Sequence, residues 1–264
     1  MMVVGKKVVE EGGGFKLKNI DVKLLKKDKS GKVSFILKNT SASFVNALRR
    51  IIMDFVPVMA IEDVEFRKNS SILYDEIIAL RLGLLPLKTD LGSYNLPNEC
   101  TCEGEGCAKC QTQFKLKTNG PKIVYASDLK PKDPAIKPLF PKTPITKLLE
   151  NQELELIATA KLGIGKEHTK WSPGLVYFKK KPIIKISSKC NSCGACVNVC
   201  PVKIFALKSK KVSIDKDKLF DCHLCKACVD ECPKKAVSLD SDNDYIMYIE
   251  PWGQLSAREM VLKC

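Results

Sequence analysis

A chain of 264 residues, of which 45% are hydrophobic, is long enough for one large domain or for two to three smaller ones. No apolar run near the start is long enough for a secretory signal. The most apolar region, residues 51–61, is interrupted by Asp54 and Pro57, so we predict a cytoplasmic protein without membrane contact. The net charge of +14 would favour polyanions, but the lysines lie in short scattered groups without an aromatic nucleic-acid motif between them. A solvated basic surface is therefore the simpler interpretation.

The first part of the chain predicts strands followed by a helix. Residues 1–15 contain three successive glycines and are expected to form a flexible lead. Two short strands are predicted within residues 15–37, followed by a helix over residues 42–55 that ends before Pro57. The apolar positions of this helix recur at spacings of three and four, which predicts one buried stripe: Phe44, Ala47, Leu48, Ile51 and Phe55.

Alternating strands and turns are predicted for residues 58–172, with one more helix around residues 74–82. A pair of strands follows, at residues 154–160 and 174–186. Another strand is predicted near the end of the chain, at residues 244–250.

The final segment carries the pattern S-x-x-E from Ser256 to Glu259, a capping box that begins a helix. We predict that the first strands and helix pack with the last strand and helix. The middle of the chain would then be an insertion between two halves of one domain.

Thirteen cysteines are the most informative feature of the composition. Thiols stay reduced in the cytosol, so dense and regularly spaced cysteines there indicate metal binding before disulfides. Twelve of them fall into three groups of four, and Cys264 stands alone at the end of the sequence.

Two of the cysteine groups form a repeat. Residues 190–201 have the pattern C-x2-C-x2-C-x3-C-P, and residues 222–233 repeat it 32 positions later. This pattern is typical of bacterial ferredoxins, in which the fourth cysteine ligates the other cluster. We therefore predict two [4Fe–4S] clusters, one bound by Cys190, Cys193, Cys196 and Cys232, and the other by Cys200, Cys222, Cys225 and Cys228. The alternatives are a zinc site or a module held by disulfides.

The third cysteine group has the pattern C-x-C-x4-C-x2-C around a glycine-rich turn. Two close pairs of thiolates suit tetrahedral Zn²⁺, and Gly104 and Gly106 allow the loop to close tightly. The candidate zinc ligands are Cys100, Cys102, Cys107 and Cys110. Free or oxidised thiols are the alternative.

Three further segments carry a family resemblance. Residues 44–51 (FVNALRRI), followed by VPVMAI at 56–61, resemble the alpha motif of cellular RNA polymerases, and residues 73–87 (LYDEIIALRLGLLPL) match the same family. Residues 163–171 (GIGKEHTKW) look like the characteristic loop of the family's inserted domain. Together with the cysteine groups, these segments make the chain similar to the D-type subunits of archaeal RNA polymerase, over about residues 16 to 262. That family is related to bacterial alpha and to the third-largest eukaryotic polymerase subunit.

The resemblance implies an α+β fold with three parts. An alpha-like dimerisation domain would be formed from residues 16–57, 174–187 and 241–264. An inserted, mostly-β domain would span 58–173 and hold the cysteine loop 100–110, and a ferredoxin-like 2[4Fe–4S] domain would span 188–240. Family members finish with a long amphipathic helix, of which only a short part is expected before Cys264.

The resemblance also implies a non-catalytic assembly subunit of DNA-directed RNA polymerase, without an active site of its own. It would form a heterodimer with subunit L and nucleate assembly of the large catalytic subunits, with subunits N and P joining and DNA contacted only through the assembled enzyme. The implied interface residues are Phe44, Asn46, Leu48, Arg49 and Arg50. The clusters would be mainly structural, with redox response as a further role. The alternative is a ferredoxin-type electron-transfer protein, although no G-x-G-x-x-G motif for a second redox cofactor follows a strand.

Overall fold

The computed structural model describes residues 20–264. The flexible lead predicted for residues 1–15 lies outside this range. The described chain divides into two compact units built from interleaved segments. Unit 1 comprises residues 20–23, Ile36–Ala42 and Lys180–Ile246; unit 2 comprises Leu24–Phe35, Ser43–Lys179 and Met247–Cys264.

The fold is mixed, with strands in the majority, as predicted. The strands are β1 (Asp21–Lys27), β2 (Val33–Lys38), β3 (Val58–Asn69), β4 (Gln111–Asn119), β5 (Lys122–Tyr125), β6 (Lys130–Pro131), β7 (Pro144–Leu148), β8 (Glu153–Gly163), β9 (Gly174–Ile186), β10 (Phe205–Lys208), β11 (Lys211–Ile214) and β12 (Val237–Pro251). The α-helices are α1 (Ala42–Asp54), α2 (Asp75–Gly83), α3 (Ala195–Val199), α4 (Ala227–Asp230) and α5 (Ala257–Leu262).

The strands form two four-stranded sheets, ordered β1-β2-β12-β9 and β3-β8-β4-β6, and the two-stranded pairs β5-β7 and β10-β11. Near the start of the chain, β2 neighbours β12, which lies near its end. The strands predicted as a pair are present as β8 and β9, but they belong to different sheets, so that pairing was wrong. The reason is that β8 lies between β3 and β4 and pairs antiparallel with both.

The core of unit 2 follows from the alternation along β8. Every second residue of this strand is buried, from Leu154 through Leu162, because side chains of a strand point alternately to opposite faces. In the register with β4, Phe114 lies opposite Ala158 and Leu116 opposite Leu156. The α2 residues Ile78 and Leu82 are fully buried in the same core.

The predicted position of α1 is confirmed, but the predicted buried stripe is wrong. The residues that α1 buries completely are Val45 and Ile52. Phe44 and Ile51 are each 38% exposed, and Phe55, just beyond the helix, is 48% exposed. Apolar residues cover more of the helix circumference than the core does. The predicted stripe therefore lies beside the buried side of the helix and is partly exposed.

The last helix begins as its capping box predicts. The Ser256 hydroxyl accepts a hydrogen bond from the Glu259 amide, and the Glu259 carboxylate accepts one from the Ser256 amide at 2.8 Å.

None of the helices in residues 20–264 has both the length and the apolarity that crossing a bilayer requires.

Candidate metal centres and interaction face

The two ferredoxin-type loops adopt the same backbone conformation twice. Three residues in the left-handed region of each loop recur 32 positions apart: Ser192, Gly194 and Lys203 in the first, and Leu224, Lys226 and Lys235 in the second. These positive φ angles turn the chain around each group of thiols. The sequence repeat is therefore also a repeat of local structure.

Backbone amides point at the sulfur atoms at matching places in both loops. The Ser192 amide donates to Cys190 Sγ and the Leu224 amide to Cys222 Sγ, both at 3.4 Å. The fourth cysteines accept similar bonds, Cys200 from Ile204 at 3.5 Å and Cys232 from Ala236 at 3.2 Å. The Ala236 amide is the main cause of a lowered pKa at Cys232. Such donors stabilise thiolates, the form that ligates iron.

The third cysteine of each loop is buried at the start of a short helix. Burial raises the pKa of Cys196 and raises that of Cys228 to about 11. Charge repulsion from neighbouring thiols also raises both pKa values. For Cys196 these neighbours are Cys190, Cys232 and Cys193, and for Cys228 they are Cys222, Cys200 and Cys225. Each buried thiol is therefore surrounded by the three other members of its predicted ligand set, including the fourth cysteine from the opposite loop.

The predicted ligand set of the second cluster lines one cavity. Cys200, Cys222, Cys225 and Cys228 all line this cavity, which is small and largely enclosed. The remaining wall is mostly apolar, with Ile184, Val202, Ile204, Phe205 and Leu239. Four thiols around an apolar cavity fit an iron–sulfur cluster, whose potential depends on its exposure and its hydrogen bonds.

The spacing of these eight thiols differs from that of a single-ion site. Within residues 20–264, the one group of potential ligand atoms that lie within 4.8 Å of one another is the third cysteine group. A cubane keeps its four irons apart, so thiolates that bind different irons do not converge on one point. The eight ferredoxin-type cysteines therefore fit clusters better than zinc, and none of the thirteen cysteines forms a disulfide.

The four sulfur atoms of the third cysteine group do converge on one point. The Sγ atoms of Cys100 and Cys107 are 3.5 Å apart, and those of Cys102 and Cys110 are 3.6 Å apart. A tetrahedral Zn²⁺ with Zn–S bonds of about 2.3 Å separates its sulfur ligands by about 3.8 Å, whereas a disulfide requires about 2.05 Å. The four thiols therefore fit one tetrahedral ion.

The loop that carries these thiols owes its shape to Gly106. This residue has φ +98°, and a Cβ atom would come 2.6 Å from the side chain of Gln111. The Gly106 amide lowers the pKa of Cys102 to about 6, whereas burial raises that of Cys110 to about 12. A bound cation would compensate the free-energy cost of keeping the buried Cys110 thiol in its charged form.

Replacing Cys107 with serine is expected to lower the zinc content from one ion per chain to nearly none, because three thiolates and a hydroxyl bind Zn²⁺ far more weakly. Zinc released by a mercurial reagent would be measured with a chromogenic chelator. The matched control is Thr101→Ser, which changes the same loop without changing a sulfur atom. Equal zinc content in all three proteins would contradict the assignment.

The five predicted interface residues occupy different parts of α1. Phe44, Asn46 and Arg50 are exposed, whereas Leu48 and Arg49 are half-buried. Arg49 Nε donates to Asn46 Oδ1 at 3.1 Å, and Arg50 lies 3.7 Å from Asp54, so these polar side chains contact one another along the helix. The exposed apolar atoms come from Phe44, Ile51 and Phe55, which we call the α1 face.

Sequence reasoning missed a second exposed apolar surface, around α2. Its members are Ile72, Tyr74, Ile77, Leu80 and Leu84. The spacings of three and four from Ile77 to Leu84 were a usable signal, because they define a stripe separate from the buried Ile78 and Leu82. We call this surface the α2 face.

Comparison with known proteins first defines the class. The RNA polymerase Rpb3/RpoA insert domain matches residues 63–175, and the 4Fe-4S dicluster domain matches residues 189–237. The protein therefore combines the insert domain of an RNA polymerase subunit with an iron–sulfur cluster-binding region.

Curated relatives then identify the family. DNA-directed RNA polymerase subunit Rpo3 of Archaeoglobus fulgidus is 42% identical over 237 residues, which cover 89% of each chain. The same subunit of Methanosarcina acetivorans is 37% identical over 89% of this chain and 88% of the relative. That of Methanothermobacter thermautotrophicus is 40% identical over 71% and 72%. The chain belongs to the archaeal DNA-directed RNA polymerase subunit Rpo3 family.

Proposed function

We propose that this protein is the non-catalytic assembly subunit of an archaeal DNA-directed RNA polymerase, working in the cytoplasm. It forms a heterodimer with subunit L through the α1 face and then recruits the large catalytic subunits and subunits N and P. DNA is contacted only through the assembled enzyme. The observation that carries this proposal is the exposed apolar face of α1 in a chain of the Rpo3 family.

The chemistry of the α1 face suits a partner helix. Phe44, Ile51 and Phe55 present large apolar side chains to solvent, and burying them against another apolar surface is favourable by about 25 cal/mol per Å². Contiguous apolar surface with a polar rim is typical of protein–protein contact sites. Asn46 and Arg50 are also exposed, but the helix period of about 3.6 residues per turn places them on another side of α1.

The α2 face supports contact with more than one partner. It exposes five large apolar side chains on an element separate from α1. A subunit that joins both a small partner and the large subunits needs two such surfaces. We assign the α2 face to the partners that join after subunit L.

We propose two [4Fe–4S] clusters with the ligand sets given above. Their main role is to fold the segment around them, because Cys196, Cys222 and Cys228 are themselves part of its small core, together with Ile204 and Phe205. A segment of this size buries too little apolar surface to fold without such cross-links. A redox response is a secondary role. One Zn²⁺ at the third cysteine group stabilises its loop in the same way.

The α1 face is tested by replacing Ile51 and Phe55 with aspartate. The double variant is expected to bind purified subunit L at least about 100-fold more weakly, because two charges would be buried against apolar surface. Binding would be measured by calorimetry on the full-length chain. The control is Ile123→Asp, which places one such charge at an apolar residue of β5 that is 42% exposed. Unchanged affinity of the double variant would exclude the α1 face as the contact site.

A further inference from the structure

The loop of residues 163–171, which starts at the last residue of β8 and leads towards β9, contacts two elements of unit 2 at once. One is the C-terminal end of α1, next to the α1 face, and the other is the start of β3. The family resemblance marks this segment but does not explain its residues. The contacts of this loop with α1 and β3 indicate what it does.

The first contact joins the loop to α1. The Lys166 amide donates to the Asp54 carbonyl at 2.9 Å, which satisfies one of the acceptors that every helix leaves open at its C-terminal end. At Gly165, a Cβ atom would overlap the Met53 carbonyl oxygen and lie 3.3 Å from Asp54 Cα. Lys166 Nζ lies 5.7 Å from the centre of the Phe55 ring, one of the three side chains of the α1 face.

The second contact joins the loop to β3. Lys170 Nζ forms an ion pair with the Glu62 carboxylate and donates to the Ile61 carbonyl at 3.1 Å. The same nitrogen lies 4.5 Å from the centre of the Trp171 ring, and the Lys170 side chain is only 12% exposed. An ion pair that is shielded from water and has further hydrogen bonds depends strongly on its geometry.

Hydrogen bonds and ring packing within the loop hold it in one conformation, so its contact with α1 and its contact with β3 depend on each other. His168 Nδ1 accepts a hydrogen bond from the Lys170 amide at 3.0 Å, and the Glu167 amide donates to the Ile164 carbonyl at 3.0 Å. The Trp171 ring packs on Gly163, where a Cβ atom would overlap it. A displacement of Lys170 would therefore reach Lys166 and the end of α1.

We propose that residues 163–171 are the positioning element of the α1 face, and that the Glu62–Lys170 ion pair is the latch that holds it. The latch fixes the end of α1 against β3, the first strand of the β3-β8-β4-β6 sheet. The α1 face is then presented in one orientation, and a partner helix docks without paying the entropy of ordering it. This inference rests on the proposed function, because it concerns the affinity of that same face.

The test is Lys170→Met in the full-length chain, which removes the charge and keeps an unbranched side chain. We expect about tenfold weaker binding of subunit L, near the lower end of the range of about 5–150-fold that coupling between distant sites typically gives. We also expect faster hydrogen exchange at amides 53–55, with unchanged exchange in β8. Lys170→Arg retains the ion pair and should restore both properties.

The matched control is Lys161→Met. Lys161 Nζ lies 3.8 Å from Glu62 Oε1, whereas Lys170 pairs with Glu62 Oε2, so this substitution removes the longer ion pair and leaves the Glu62–Lys170 latch in place. This variant should bind and exchange as the wild type does. If Lys170→Met prevents folding, Glu62→Gln is the second variant, because it removes the ion pair and leaves the Ile61 carbonyl contact in place.

The outcomes separate the two hypotheses. If the wild type binds subunit L and Lys170→Met binds equally tightly with unchanged exchange at 53–55, the latch is overturned and the proposed function stands. If the wild type does not bind subunit L, the proposed function is overturned. In that case exchange at 53–55 in Lys170→Met still decides whether the latch positions α1.

Discussion

Replacing both Cys222 and Cys225 with serine is expected to remove one of the two proposed clusters and about half of the bound iron. Both residues belong to the ligand set that lines the cavity beside Phe205. Because Cys222 is also buried in the small core of that region, residues 188–239 should become loose and sensitive to proteases. Iron and acid-labile sulfide would be assayed together with limited proteolysis.

Cys264→Ser is the control for this variant, because it removes an exposed thiol that lies outside all three cysteine groups. Its iron content should equal that of the wild type. Binding of subunit L should survive the loss of the cluster, since the α1 face belongs to unit 2 and the cysteine repeat to unit 1. Full iron content in the double variant would refute the ligand assignment, and loss of subunit L binding would show that the cluster region supports the interface.

Gly165→Ala is expected to destabilise the protein by roughly 3 kcal/mol or more, at the upper end of the usual cost of overpacking. The added Cβ atom would overlap the Met53 carbonyl oxygen and lie 3.2 Å from the carbonyl carbon. Both atoms belong to the backbone of α1, so the clash can be relieved only by moving the end of the helix away from the loop. Urea denaturation followed by circular dichroism would measure the change.

Gly83→Ala provides the matched control for this substitution. It adds the same methyl group at the last residue of α2, where the nearest atom, the Ile61 carbonyl oxygen, would lie at an ordinary 3.4 Å. The expected change is within about 1 kcal/mol, because alanine is the better helix former. Equal effects of the two substitutions would show that the loop does not pack against α1 as described.

The sequence predicted α1 but not the side of it that is buried. The spacing of Phe44, Leu48, Ile51 and Phe55 locates an apolar stripe, and such spacing depends only on the helix period. Which part of the arc meets the core depends on elements far away in sequence. The core lies against Val45 and Ile52, and the stripe itself is left partly exposed.

The same distinction applies to strands and sites. The strand that the structure shows as β8 was predicted, but its partners β3 and β4 are set by distant segments, which is why β9 was wrongly paired with it. The iron–sulfur region could be predicted because its cysteine spacing is local and chemically restrictive. The Glu62–Lys170 latch joins residues far apart in the chain and leaves no local pattern.

We expect an exposed face of this chain to bind other polymerase subunits. Native mass spectrometry of the chain co-expressed with the subunit L encoded in the same genome tests it most directly. We predict a 1:1 complex whose mass includes two iron–sulfur clusters and one zinc ion. A chain that stays alone under these conditions and instead passes electrons rapidly to a redox enzyme would contradict this account and favour the ferredoxin-type alternative.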